Sequence, residues 1–362
     1  MYTNENSFKM GGIVPMSMIK YFHTVRDWIL TARLTKEHRQ RVRQHAPNYV
    51  LTKEQEAAIR AYYGSHVDKV DLWAHNFYTE KTGIFHVDYM PDDLYYSAID
   101  TYFNDWREAR FSDNKCFYTR MFTGIRQPEN IASRIGGLWY VGDYQPISRE
   151  QLDQLLEKEQ EVVVKKAMGS EGGKGVYFVK GADFATVEAK IKDDILIQRP
   201  LVQHPQISAI NATSVNTIRI LSLLTEEGAK PYSAILRIGI NGARVDNASS
   251  GGITCGISAE GKLKQYAYKA NGQRYDRHMD SGVIFDGYEI PGFQKCWQAV
   301  PALHIQVPHF KLVSWDFAIA EDGEPILVEA NLHYGQLDFH QLNNGPIFGE
   351  DTHKILKQVF GK

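Results

Sequence analysis

Apolar positions recur every three to four residues over the first 160 residues and alternate or run together after that, so the chain reads as a helical front followed by a strand-rich body. From about Ser17 to Glu159 the pattern predicts mostly helix. Ile19, Phe22, Ile29 and Leu30 share one helical stripe. Thr52 with Gln55 forms a capping box before an alanine-rich run, and Ser148 with Gln151 repeats it ahead of LDQLLEKEQ. Pro91-Asp92-Asp93 opens a helix expected to carry Leu94, Ala98, Ile99 and Tyr102 on its apolar side. After Glu161 the signal changes. Two β-rich runs, Val162 to Val164 and Val176 to Val179, flank a glycine-rich loop; a helix near Asp183 to Lys192 and a strand ILIQ follow. TIRILSLL and PYSAILRIGI read as strands joined by TEEGAK, and DTHKILKQVF as a terminal helix. Strands mixed with single helices define an α+β (α/β) body.

The stretch KLVSWDFAIAEDGEPILVEANLHYGQ contains a strong turn signal, because both residues of a type I′ turn need positive φ and Asp322-Gly323 supply it. A two-residue turn there sets Ile319 opposite Ile326, Phe317 opposite Val328 and Trp315 opposite Ala330, making one side of the hairpin wholly apolar. On the other side Asp316 faces Glu329, with Asn331 two residues along and Ser314 across from it. Opposed Cβ atoms lie roughly 4.5 to 5.5 Å apart, close enough for two carboxylates to repel. They are neutralised either by a hard divalent cation, which takes carboxylate oxygens together with substrate phosphates, or by a nearby Lys or Arg.

The run Gly169-Ser170-Glu171-Gly172-Gly173-Lys174-Gly175 is not a P-loop, which needs four residues before its Gly-Lys and then Ser or Thr. It joins two β-rich segments, and is either a solvated hairpin tip or a loop whose backbone N–H groups and lysines meet phosphates.

A length of 362 residues allows two or three domains with full cores. The net charge of -2 leaves no basic surplus for nucleic acid or anionic lipid. Cys116, Cys255 and Cys296 are too few and too scattered for a disulfide framework or zinc site, and His278, His304, His309, His333 and His340 lack zinc spacing. The first twenty residues lack the basic start of a signal peptide and are broken by Pro15, and no apolar run approaches a membrane span. A cytoplasmic protein with reduced thiols is expected.

Taken together, the glycine-rich hairpin and the carboxylate pair resemble the ATP-grasp superfamily, with acid and amide spacings also seen in D-alanyl-D-alanine ligases. SDNK at Lys115, SVNTIRI, DNASSGGI, VSWDFAI and LVEANLHYGQ are similar to motifs of the sugar-transfer-associated ATP-grasp family of polysaccharide biosynthesis, from about Leu51 onward. The resemblance implies two α+β subdomains gripping ATP: a helical region 1–110, a pre-ATP-grasp segment 111–160, a small subdomain 161–235 with the lid, and a C-terminal subdomain 236–362 with a magnesium site. It implies that Lys165 and Lys115 bind nucleotide, and that Gly169, Ser170, Gly172, Gly173, Lys174 and Gly175 cover the β- and γ-phosphates. Gln198, Arg199 and Leu201 would read adenine; Asp316, Glu329 and Asn331 would hold two Mg²⁺; Arg219, with Lys165, would act on the transferring phosphate. Arg237, Asn247, Ser250, Gly251 and Gly252 would line the floor, and His333 and Gln336 would meet the acceptor.

Two departures stand out: Lys166 replaces a common Pro, and Ser314 stands where D-alanyl-D-alanine ligases have Arg, leaving Arg219 as the lone transition-state cation. The implied activity is an ADP-forming carboxylate–amine ligase working through an acyl phosphate, on a small-molecule or saccharide carboxylate and an amine. Phosphotransfer on the same fold, and nucleotide binding without catalysis, are the alternatives. A protein-kinase fold is not: H-R-D is missing, and Asp316-Phe317-Ala318 lacks the glycine of D-F-G.

Overall fold

Among the described residues, thirteen strands build two antiparallel sheets, the central strands of the larger one, such as Leu312–Ile319, buried on both faces. The computed structural model describes residues 32–33, 36–37, 39–105, 112–169 and 175–361. The stripe at Ile19, Phe22, Ile29 and Leu30, and the loop residues Ser170, Gly172, Gly173 and Lys174, lie outside the described residues.

The smaller sheet has six strands: β1 (Asn130–Ile135), β2 (Leu138–Val141), β3 (Gln145–Ile147), β4 (Val162–Lys166), β5 (Val176–Val179) and β6 (Ile195–Gln198), in the order β3-β2-β1-β6-β4-β5. β4 and β5 form the expected hairpin, Val162 pairing with Val179 and Lys165 with Val176. One face packs on the helix Arg149–Leu156, capped by Ser148 and Gln151, through Leu152, Leu156, Val162, Val164, Ile195 and Ile197. β1 to β3 correct the expectation of helix up to Glu159. The strands are short and turn tightly at Gly136-Gly137, both at positive φ. The helix expected near Asp183 to Lys192 is shorter, Phe184–Glu188 after a 3-10 turn.

The larger sheet has seven strands: β7 (Ile218–Thr225), β8 (Gly228–Ile238), β9 (Ile253–Ile257), β10 (Leu263–Tyr268), β11 (Arg274–Tyr275), β12 (Leu312–Ile319) and β13 (Pro325–Asn331), ordered β11-β10-β9-β8-β7-β12-β13. The small sheet therefore draws strands from both sides of residue 160, and β8, paired along its length with β7, spans residue 235 within the large sheet. On one face of the large sheet, Ile218, Ile220, Leu236, Trp315 and Phe317 pack with the helix Phe293–His304. On the other, Leu221, Leu223 and Leu312 meet the helical front and the C-terminal helix Thr352–Phe360. Arg219 and Asp316 alternate with the first set of core residues, so they share the second face.

The helical front keeps its Thr52–Gln55 capping box. After Pro91 the chain runs as α-helix Asp92–Leu94, π-helix Tyr95–Ile99 and α-helix Asp100–Phe103. The wider π turn rotates the apolar face, which corrects the expected stripe: Tyr95, Tyr96, Ile99 and Phe103 are buried, whereas Tyr102 is 52% exposed.

Candidate active site

The carboxylate hairpin reaches its expected register by a different route. Gly323, at φ 79°, donates its amide to the Ala320 carbonyl, and the Ala320 amide donates to the Glu324 carbonyl, which closes a three-residue loop rather than a two-residue turn. Ile319 therefore pairs with Pro325 and Phe317 with Leu327, not with Ile326 and Val328. A bulge at Val328 then restores the register, so Asp316 pairs with Glu329, Trp315 with Ala330 and Ser314 with Asn331. Leu327 joins the apolar core, while Val328 lines the cleft between the sheets.

Register on the other side of β12 places Arg219 directly beside Asp316. Arg219 donates Nε to Asp316 Oδ1 at 2.7 Å and NH2 to Oδ2 at 2.6 Å, and its NH1 to Gln336 Oε1 at 2.7 Å. Arg237 on β8 donates NH1 to Asp316 Oδ2 at 2.9 Å and lies 3.3 Å from Asp246 Oδ1. Asp246 in turn accepts the Thr217 amide at 3.1 Å and the Thr217 hydroxyl. Burial would raise the Asp316 carboxyl, but the two guanidiniums outweigh it and hold it below the usual carboxylate range. Burial does raise the Asp246 carboxyl, against the pull of Arg237. Glu329 is held by Lys115, Nζ to Oε1 at 2.8 Å.

Thus basic side chains, one of the two possibilities open in the sequence, neutralise both carboxylates. Arg237 is a second guanidinium beside Arg219 on the same carboxylate. The space at Ser314 is taken by the backbone of Gly335, where a Cβ would come within 2.5 Å of the serine hydroxyl.

A cavity of about 390 Å³ opens between the sheets. Val163, Lys165, Val176, Phe178 and Gln198 line it from the small sheet, and Arg237, Asp316, Val328 and Glu329 from the large one. Lys165 makes no ion pair among the described residues; burial, then the charge of Lys115, lowers its ammonium to about 8, Glu329 acting the other way. The segment Gln198 to Leu201 lines the same cavity. Gln198 donates to Asn130 Oδ1 at 2.7 Å and leaves its own Oε1 buried without a partner among the described residues. Arg199 lines the cavity too, and directs its guanidinium to Glu129 and, at 2.7 Å, to Glu159. The Leu201 amide has no hydrogen bond among the described residues.

A second cavity of about 280 Å³ adjoins it, sharing Lys115, Arg237, Asn247 and Glu329 and adding Gly169, Arg219, Asn331, His333 and Gln336. His333 Nδ1 lies 3.5 Å from Asp113 Oδ2. Ser250, Gly251 and Gly252 line neither cavity; they form the turn after Asn247, with Gly251 at φ 88° and no room for a Cβ at Gly252, which would meet the Asp246 carbonyl at 2.5 Å. Gly175 likewise lies off both walls, at φ 80°.

Val328, Phe178, Asp113 and Asp246 are site residues that sequence reasoning missed. Val328 faces the cleft only because of the bulge. Phe178 was legible as the residue that alternates with Val176 across from β4.

Asp316, Glu329 and Asn331 offer two carboxylates and an amide on adjacent strands, the oxygen donors that a hard cation shares with phosphate. Among the described residues no three His, Cys, Asp or Glu side chains converge as a self-sufficient metal cluster.

Two sheets enclosing a cleft, a lysine-flanked hairpin on one and a carboxylate hairpin on the other, define an ATP-grasp fold. The chain belongs to the sugar-transfer associated ATP-grasp family, whose model matches residues 97–357. No curated protein matches the chain. Among solved structures, D-alanine-D-alanine ligase from Coxiella burnetii is 11% identical over 68% of this chain and 56% of its own, with a TM-score of 0.37. The ATP-grasp ligase PsnB complexed with minimal precursor is 11% identical over 71% and 64%, TM-score 0.41. The Bacillus anthracis D-alanine–D-alanine ligase complexed with ATP is 14% identical over 69% and 63%, TM-score 0.37. In each case the chain spans less than two thirds of the matched chain's length.

Proposed function

We propose that the protein is an ATP-dependent, ADP-forming ligase that joins a carboxylate to an amine. The observation that carries this reading is the single register that sets Asp316 between Arg219 and Glu329 on the cavity wall, with Lys115 bound to Glu329. In this reading ATP fills the larger cavity, adenine beside Gln198 and the Leu201 amide, with Lys165 on the phosphates. The lid from Gly169 to Gly175 closes over them, and the acceptor occupies the smaller cavity near His333 and Gln336. The small-sheet lobe, residues 130–198, grips from above; the large sheet forms the floor.

A carboxylate oxygen attacks the γ-phosphorus, the bond to the ADP oxygen breaks, and an acyl phosphate and ADP result. The amine then attacks the acyl carbon, losing a proton as phosphate leaves. Arg219 and Arg237 stand where charge develops on the transferring group, which is how most of the barrier to phosphoryl transfer is lowered. Asp316, Glu329 and Asn331 would hold one or two Mg²⁺, which neutralise β- and γ-phosphate charge. Closure of the lid keeps water from the acyl phosphate. The substrates in this reading are an amine or amino acid and a sugar acid or other carboxylate of polysaccharide biosynthesis, in the cytoplasm where ATP is at hand.

The test is ADP and phosphate release with Mg-ATP against uronic acids and amino acids, singly and in pairs, with mass spectrometry of products. Release that needs both partners, with a product lighter by water than their sum, supports the ligase. A single acceptor that gains a phosphoryl group makes the protein a phosphotransferase instead, and nucleotide binding with no turnover makes it a regulator.

A further inference from the structure

The helical front meets the segment that follows Asn331 through Tyr96 and Asp100. Tyr96, inside the π-helix, accepts the Leu337 amide on its hydroxyl at 3.0 Å. Asp100, four residues on, accepts the Tyr334 amide on Oδ2 at 3.2 Å and Asn104 Nδ2 on Oδ1 at 3.4 Å. Asn104 also grips β12: its Nδ2 donates to the Leu312 carbonyl at 2.7 Å, and its Oδ1 accepts the Lys311 and Leu312 amides at 2.9 and 3.1 Å. One short helical stretch therefore holds both the strand leading into Asp316 and the segment that follows Asn331.

That segment needs holding. Tyr334 sits at φ 52°, a backbone region few non-glycine residues adopt, and Gly335 passes Ser314 where any side chain would collide with the serine hydroxyl. Between the two clamped amides lies Gln336, whose Oε1 accepts Arg219 NH1 at 2.7 Å. Tyr334 and Gln336 both line the smaller cavity. Asp100 and Tyr96 themselves line neither cavity.

We propose that Tyr96 and Asp100 are positioning residues: they clamp Tyr334 to Leu337 so that Gln336 orients Arg219 and the acceptor cavity keeps its shape. The catalytic consequence rests on the ligase reading; the clamp itself does not. Burial raises the Asp100 carboxyl to about 7, and either ionisation state offers an oxygen to the Tyr334 amide, as an asparagine would.

The experiment compares wild type with Asp100→Ala, Asp100→Asn and Tyr96→Phe, reading hydrogen exchange of peptides spanning residues 332–338, ATP affinity by calorimetry, and kcat and KM for the acceptor. The Asp100→Ala exchange should quicken in that segment alone, with ATP affinity within about twofold and kcat falling between about 10- and 100-fold. Asp100→Asn should restore protection and rate to within about threefold of wild type, because it keeps the acceptor. Unchanged exchange in Asp100→Ala, exchange quickened across the large sheet, or an asparagine no better than alanine would overturn the clamp. If Asp100→Ala does not fold, Tyr96→Phe carries the same readout with the loss of one hydroxyl. Should the wild type release no ADP with any pair, the ligase reading fails while exchange still decides the clamp.

Discussion

Arg219 meets Asp316 through two parallel hydrogen bonds of 2.7 and 2.6 Å, both partners almost wholly buried. A lysine keeps the charge there but not the fork, and cannot reach both carboxylate oxygens and Gln336 together. Arg219→Lys should lower kcat by about 100-fold, the scale of losing one preorganised donor, with ATP affinity within about threefold. Arg219→Ala should also destabilise the fold by about 3 kcal/mol, since Asp316 would keep one guanidinium, Arg237, and a longer hydrogen bond from Asn331. Steady-state kinetics and urea unfolding read the two effects; a kcat within threefold for the lysine variant removes Arg219 from the chemistry.

Glu329 is less enclosed, its side chain 32% exposed, and its ion pair with Lys115 contributes little to folding. Glu329→Gln should leave unfolding within about 1 kcal/mol of wild type and reduce ADP release at least about 100-fold. The same variant should lose saturable Mn²⁺ binding in the presence of ADP. Wild-type rates would end the metal assignment.

Lys165 is lowered to about 8, so its ammonium, the form that attracts phosphate, is present below that pH and lost above it. ATP affinity should fall as pH rises from 7 to 9 in wild type and stay level in Lys165→Arg, whose charge does not titrate there. Lys165→Ala should bind ATP at least about tenfold more weakly at pH 7. Calorimetry at both pH values checks all three, and equal affinity for the alanine variant would move the nucleotide elsewhere.

Asp92 is buried in the helical front, accepts the Tyr78 hydroxyl at 3.0 Å, and has its carboxyl raised to about 7 by burial, with Arg41 opposing. The folded state holds this proton between about pH 4 and 7 while the unfolded chain gives it up, so this group's contribution to stability is present at low pH and lost as pH rises through 7. Asp92→Asn removes that slope. The variant's unfolding free energy relative to wild type should climb by at most about 3 kcal/mol between pH 5 and 7.5, read by urea titrations at the two values.

Much of the strand-rich body could be read from sequence, because alternation and turn residues there agree: β6, β7, β8 and the terminal helix fall where TIRILSLL, PYSAILRIGI and DTHKILKQVF place them. β1 to β3 were misread as part of a helical region, although the Gly136-Gly137 pair between NIASRI and LWYV is a two-residue turn signal. The π turn at Tyr95 was not legible, since periodicity assumes 3.6 residues per turn and an inserted residue shifts the phase silently. The arginines on Asp316 required knowing that β7 and β8 lie beside β12, a pairing of segments 97 and 79 residues apart that local pattern does not encode. Arg199 illustrates the converse: a residue in the right segment whose charge is spent on Glu129 and Glu159.

The extra loop residue before Glu324 and the bulge at Val328 cancel, like two compensating frameshifts within one hairpin. Between them the strands are one step out of phase, and only beyond Val328 do the acids meet. A change of length at the loop is therefore harmless to the site only when the bulge changes with it. Together the two irregularities leave Leu327 to the core and turn Val328 to the cleft.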